Sequence, residues 1–297
     1  MSFVYTEISK NKFRSVVLLV LFAAFLMIFG FIIGEATANG GGIGGLTLAG
    51  IIALIYGLIG YFVGGKIALA VSGAKEIDRR SLPQVYNIVE NLCMTAGLPT
   101  PKIYVINTDA LNAFATGRDP QHSAVALTRG IVEKLEKREL EAVIAHELSH
   151  IGNYDIRLSM LVVALVGAAT ILSDLFLRFT IYGRGGGGKK DGRVQLAILL
   201  IAIVLAIVAP LIAVLIQLAI SRKREYLADA SGALLIRNPE ALADALEKIS
   251  VHSDMPQASK GTAHLFISSP LKKGAISKLF STHPPMEERI ARLRQMA

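Results

Sequence analysis

The sequence predicts an α+β membrane protein: mostly helical, with four membrane-crossing helices and one small β-sheet. Three observations carry that expectation. The 297 residues are 53% hydrophobic and 18% charged, with a mean hydropathy of +0.52, too apolar for an ordinary soluble domain. Long apolar runs occupy residues 15–34, 46–65, 158–179 and 194–220, each able to cover a hydrocarbon core of about 30 Å at about 1.5 Å per helical residue. Between the second and third runs, residues 102–106 and 123–127 have the β-branched and aromatic character of short strands.

These runs divide the chain into four parts. Residues 1–75 form an N-terminal membrane hairpin, 76–157 the first part of a water-exposed domain, 158–220 a second hairpin, and 221–297 the rest of that domain. The first run is too long for a signal-peptide core, and another apolar run follows at once, so it reads as a retained span. In the second run Ala49, Ala53 and Gly57 recur every four residues, and Gly60 and Gly64 form G-x-x-x-G, a spacing that lets helices approach closely in lipid. The third run carries Asp174 and Arg178 near its end. The fourth has 27 residues and Pro210, more than a bilayer needs, so its helix is expected to continue into water.

The water-exposed parts carry their own punctuation. Residues 82–97 alternate at helical spacing, with Pro83 near the start and Gly97 just past the end. Asn112-Ala113-Phe114-Ala115-Thr116-Gly117 lies between the two strands; the small sheet could offer an edge to an extended peptide, or could be a core hairpin. Residues 239–251 read as an amphipathic helix and 285–296 as a charged surface helix, whose Arg289 could pair with a site carboxylate, a solvated face being the stronger expectation. Cys93 is the only cysteine, so no intramolecular disulfide forms, and it reads as a small buried residue.

The net charge of +8 follows from topology rather than from nucleic-acid binding, because Lys and Arg cluster beside the apolar runs. Lys10, Lys12 and Arg14, then Lys66, Arg79 and Arg80, then Arg222, Lys223 and Arg224 all fall on one side of a four-span chain, which places the N-terminus and the polar domain in the cytosol. Arg184, Lys189, Lys190 and Arg193 run against that rule, so it stays open whether 158–179 and 194–220 cross fully.

The chemistry centres on His146-Glu147-Leu148-Ser149-His150, an H-E-x-x-H. Residues four apart on a helix share a face, so the two imidazoles can hold one Zn²⁺, with Glu147 beside them to take a proton from a water on the metal. Strong helix formers precede the motif. A hydrolytic zinc site needs a third protein ligand. The H-E-x-x-H-x-x-G-x-x-H pattern is absent, since Asn153 and Ile156 stand at its later positions. Glu225 is the best candidate, with Asp229 one turn later able to accept a hydrogen bond from a ligating histidine; His252, His264 and His283 are weaker rivals in loop-like or Pro-flanked stretches. His150 lies eight residues before the third run and Glu225 five after the fourth, so the metal must sit close to the lipid surface.

Taken together, the His146–His150 motif, Glu225-x-x-x-Asp229, Ser281-Thr282-His283-Pro284-Pro285, the segment 112–115 and the four apolar runs resemble the HtpX-type membrane metalloproteases, relatives of the prenyl-protein proteases. The resemblance implies a gluzincin-type zinc endopeptidase of the bacterial cytoplasmic membrane, acting in stress response and quality control of damaged membrane proteins. It implies His146, His150 and Glu225 as ligands of one zinc per chain, Glu147 as catalytic acid/base, and His283 near the site where it could stabilise an oxyanion. Partners would be the membrane and membrane-protein substrates, not nucleic acid. The alternatives are a prenyl-protein-type or intramembrane metalloprotease and, from another class, a zinc-binding membrane scaffold without catalysis.

Overall fold

The computed structural model describes residues 41–161, 222–256, 258–259, 261–271 and 283–297, with scattered helical positions between 13 and 31. Nearly all of the expected third span and the whole of the fourth lie outside the described residues, as does much of the first. Helix α1 (Gly42–Val71) is the one helix among the described residues long and apolar enough to cross a membrane, with a mean hydropathy of 2.2. Apart from Leu69 its buried positions are small, Gly42, Ala53, Gly60, Gly64 and Ala68, while Leu54, Leu58 and Phe62 are exposed. The small-residue stripe serves intramolecular contacts. A methyl on Gly30 would collide with Ala49 and the Gly45 carbonyl, and a Cβ on Gly64 would meet Met160 at 3.5 Å. The helix extends beyond the expected end at residue 65, so its last turns bury Ala68 and Leu69 against the polar domain.

The sheet has four strands in the order β1-β2-β4-β3: β1 (Ala74–Glu76), β2 (Lys102–Ile106), β3 (Ala113–Gly117) and β4 (Ser123–Thr128). β2 and β4 run parallel; β1 and β3 are antiparallel to their neighbours. Alternate side chains point to opposite faces, and the two faces meet different partners. Ile103, Ala113, Ala115, Val125 and Leu127 join the helical core, whereas Phe114, Ala124 and Ala126 pack with Ala68, Leu69, Met160 and Phe266. With both faces covered, every residue of β3 and β4 is buried, which hides the polar–apolar alternation of a half-exposed strand. The segment 112–117 is therefore an edge strand and a core strand at once.

The helical face is built from α2 (Pro83–Ala96), α3 (Arg129–Lys134), α4 (Lys137–Gly152), α5 (Arg222–Ile236), α6 (Pro239–His252) and α7 (Met286–Arg294). α2 starts at Pro83 and stops where Gly97 turns left-handed at φ 66°. α6 starts behind Asn238, whose side chain accepts from the Ala241 amide. α4 packs against α5 and α6, so two stretches separated by 69 residues in sequence form one core.

Candidate metal centre

α4 carries the motif. Its start is fixed by a capping box in which Glu136 and Glu139 exchange side-chain and backbone bonds. Glu139 is buried and also bridges to Lys248 of α6 at 2.7 Å, which ties the two halves of the domain together. From that start, helical periodicity turns His146, Glu147 and His150 inward.

α5 crosses α4 at the motif because residue 232 is glycine. A Cβ there would stand 2.9 Å from the His146 amide nitrogen and 3.1 Å from its Cα. This close approach brings Glu225 and Asp229, both buried, beneath the two histidines. Glu225 Oε2 lies 3.9 Å from His146 Nε2, and Oε1 lies 3.7 Å from His150 Nε2. The two Nε2 atoms are 3.2 Å apart.

Each histidine has a carboxylate behind it. His146 Nδ1 sits 3.0 Å from Asp229 Oδ1, and His150 Nδ1 sits 3.0 Å from Asp155 Oδ2. A carboxylate at Nδ1 favours the Nδ1–H tautomer and leaves the Nε2 lone pair free for a cation. Asp155 reaches His150 because α4 ends at a tight turn, where Tyr154 adopts φ 60°. Sequence reasoning assigned Asp155 no role; its only signal is a carboxylate just past the helix end.

At Arg289 the expected solvated face gives way to the alternative, a pairing with site carboxylates. The side chain is fully buried, not solvated: Nε and Nη2 grip both oxygens of Asp229, Nη1 donates to the Ile267 carbonyl at 3.0 Å, and Nη1 also lies 3.4 Å from Glu225 Oε2. Of the rival histidines, His283 places Nδ1 3.4 Å from Glu225 Oε2, His264 is buried and lines the same cavity, and His252 is exposed at the end of α6.

The electrostatics follow from burial and pairing. Burial pushes the Glu147 carboxyl up to about 7, against the opposing pull of His150. Burial also works against ionised Glu225 and Asp229, but the surrounding cations prevail. His283, Arg289 and His150 hold Glu225 well below the usual range, and Arg289 and His146 hold Asp229 at about 2. Burial lowers His146; at His150 it is outweighed by Asp155 and Glu225, which raise that imidazole to about 9.

His146, His150 and Glu225 each offer a ligand atom, and the three lie within 4.8 Å of one another. Donors about 2.05 Å from a tetrahedral zinc stand roughly 3.3 Å apart; the two Nε2 atoms are 3.2 Å apart, and Glu225 offers one oxygen at 3.7 Å to His150 and the other at 3.9 Å to His146, so a small shift of the carboxylate would complete the set. Glu225 Oε2 is buried and makes no well-formed hydrogen bond, with Arg289 Nη1 and His283 Nδ1 each 3.4 Å away, so this oxygen is ionised and has coordination capacity left. The residues therefore fit the metal that the motif implies. A cavity of about 30 Å³ lies beside them, with room for a water or an ion.

The model for peptidase family M48 matches residues 80–297, which include all of these groups. This chain belongs to peptidase family M48. Among its M48 relatives, the protease HtpX homologue of Tropheryma whipplei (strain Twist) is 42% identical over 293 residues, covering 98% of each chain. The protease HtpX homologue of Streptococcus pyogenes serotype M28 is 43% identical over 297 residues, covering 98% of this chain and 99% of the relative. The fold is similar to that of Ste24p from S. mikatae, with a TM-score of 0.50 at 18% identity, covering 97% of this chain and 66% of the other. The M48 chain described here is thus a protease by family, with a candidate metal site of two histidines and a glutamate.

Proposed function

We propose that the protein is a membrane-anchored zinc endopeptidase that cuts damaged or misfolded membrane proteins at the cytosolic face of a bacterial cytoplasmic membrane. The observation that carries this reading is the convergence of His146, His150 and Glu225 with Glu147 buried beside them. Two membrane hairpins, at 1–75 and 158–220, anchor the two halves of the domain. The exposed Glu133, Lys134, Glu136, Lys137 and Arg138 at the start of the motif region favour a water-exposed motif over an intramembrane one.

His146, His150 and Glu225 hold the metal, and Asp229 and Asp155 orient the imidazoles from behind. Bound zinc supplies Lewis acidity toward the scissile carbonyl and the attacking water. Glu147 takes the proton of that water and delivers it to the leaving amine nitrogen. His283, beside Glu225, donates to the developing oxyanion. An extended peptide pairs with the outer edge of β3 at Ala115, whose amide faces the Glu147 carboxylate. In the resting structure the same edge is engaged one pair away, where the Ile267 amide donates to the Ala113 carbonyl at 2.9 Å.

The test is cleavage of an unfolded membrane protein in proteoliposomes by wild type and Glu147→Gln, with zinc removed and restored. Wild type should cut only with zinc, at about one zinc per chain; Glu147→Gln should keep the metal and lose cleavage. Cleavage by the zinc-loaded variant overturns the role of Glu147, and a zinc-loaded wild type that cuts nothing leaves a scaffold.

A further inference from the structure

A second cavity, of about 330 Å³, lies where α1 meets the sheet, away from the metal cavity. Its walls include Tyr61, Phe62 and Lys66 from α1, Lys102 and Tyr104 from β2, and Arg118 just after β3. Arg118 stands 5.1 Å from the Phe62 ring centroid, and Arg157 stands 5.7 Å from that of Tyr61. The Arg118 carbonyl accepts from Arg157 Nε at 2.8 Å, which fixes the two arginines relative to one another.

The charge around the cavity is unbalanced. Lys66, Lys102 and Arg118 line it, with Arg157 close by; the nearby carboxylates are Glu76, which is bonded to Lys102, and Asp119, which lies 3.5 Å from Arg118 and 2.7 Å from His122 Nδ1. Lys66 makes no ion pair among the described residues. The aromatic walls supply the other half of the chemistry. Phe62 is 54% exposed and continues outward along α1 into exposed Leu58 and Leu54. A ligand that satisfies both halves has an anionic head and long apolar tails. The place is also right for one, since Lys66 is the first charge after the apolar run, where a spanning helix passes from hydrocarbon to headgroups.

We propose that this cavity is a binding site for an anionic phospholipid, with the phosphodiester against Lys66 and Arg118, and the acyl chains along Phe62 and Leu58. The proposal rests on the reading of α1 as a membrane span. A lysine and an arginine lining one cavity suit a phosphate, and the apolar wall selects a lipid over a free phosphate ester.

The test uses the full chain in neutral detergent, with native mass spectrometry of bound lipid. Phosphatidylglycerol should bind about tenfold tighter than phosphatidylcholine, and Lys66→Gln with Arg118→Gln should abolish that difference. Lys66→Arg with Arg118→Lys should restore it, which separates charge recognition from a folding defect. Arg79→Gln with Arg80→Gln, exposed basic residues that do not line the cavity, should leave it intact. A preference that survives the Gln pair, or that the Arg79 and Arg80 changes remove equally, overturns the site. Competition by glycerol 3-phosphate at equal concentration makes the ligand a free phosphate ester and overturns the lipid assignment. Alkaline carbonate separates the two readings. A chain released from membranes loses both span and site, and a chain retained without lipid preference loses the site alone.

Discussion

Arg289 grips Asp229 with two arms of its guanidinium, Nε to Oδ2 at 2.8 Å and Nη2 to Oδ1 at 2.6 Å, although 60 residues separate them in sequence. Asp229 in turn faces His146, so a C-terminal helix buttresses a histidine of the motif through one carboxylate. Removing one partner of a buried pair leaves the other charge uncompensated. Arg289→Leu should therefore destabilise the domain by about 3–5 kcal/mol and weaken zinc binding. Arg289→Lys should recover only part of either, because an ammonium cannot grip both oxygens. Thermal unfolding with and without zinc measures both; an Arg289→Leu protein as stable as wild type sinks the buttress.

The approach of α5 to α4 depends on the missing side chain at 232. Gly232→Ala places a methyl 2.9 Å from backbone that cannot swing aside, so α5 must move away from His146. The expected cost is about 1–3 kcal/mol, which exceeds the helix-propensity gain of alanine over glycine, about 1 kcal/mol. Zinc affinity should fall with stability, because Glu225 and Asp229 move with α5. Gly152→Ala in α4 is the control: its Cβ would meet only Leu98, at 3.6 Å, and should be tolerated.

Asp155 holds His150 from behind. Asp155→Ala should lower zinc affinity by about 10–100-fold with a smaller loss of stability than Arg289→Leu, since the imidazole loses its orientation and basicity but stays in place. Competition with a chromogenic chelator reports the affinity. Unchanged affinity would mean that the turn at Tyr154 serves packing alone.

Cys93 is buried in the helical core, and burial pushes its thiol up to about 11 from an ordinary value near 9. At pH 8 only about one thiol in a thousand is ionised, so a thiolate-directed reagent should react far more slowly with folded than with unfolded protein. The sign for stability follows from the raised value. The unfolded chain ionises first as pH rises, so the Cys93 contribution is whole below about pH 9 and is lost between about 9 and 11. Cys93→Ala should flatten that part of the stability–pH profile.

How much of this was legible in the sequence depends on range. Features set by neighbours along one helix or turn could be read directly. The i, i+4 spacing places His146 and His150 on one face, Pro83 and Gly97 bracket α2, and the apolar run 46–65 marks α1. Glu225 was reachable by a chemical requirement, the third ligand, but its distance from the histidines was not. β3 was the harder case: Ala113-Phe114-Ala115-Thr116-Gly117 is rich in alanine and glycine, which have low strand propensity, whereas β4, equally covered, carries Val125 and Leu127.

The sequence by itself determined the helix that carries the motif and the chemistry its residue types permit, because hydrogen bonding and side-chain period within a helix are local. Only the tertiary structure decided which distant charges face that helix. Helical period puts Arg289 on the same face as Met286, Ile290 and Leu293, and Arg292 on the exposed side, but it does not say which carboxylate Arg289 meets. Nor does the sequence show that Gly232 is the point of contact or that Asp155 turns back beside His150. Those choices belong to the packing of α4, α5 and α7, where burial makes an unpaired charge too costly and the arrangement seen pairs Arg289 with Asp229 and Glu225.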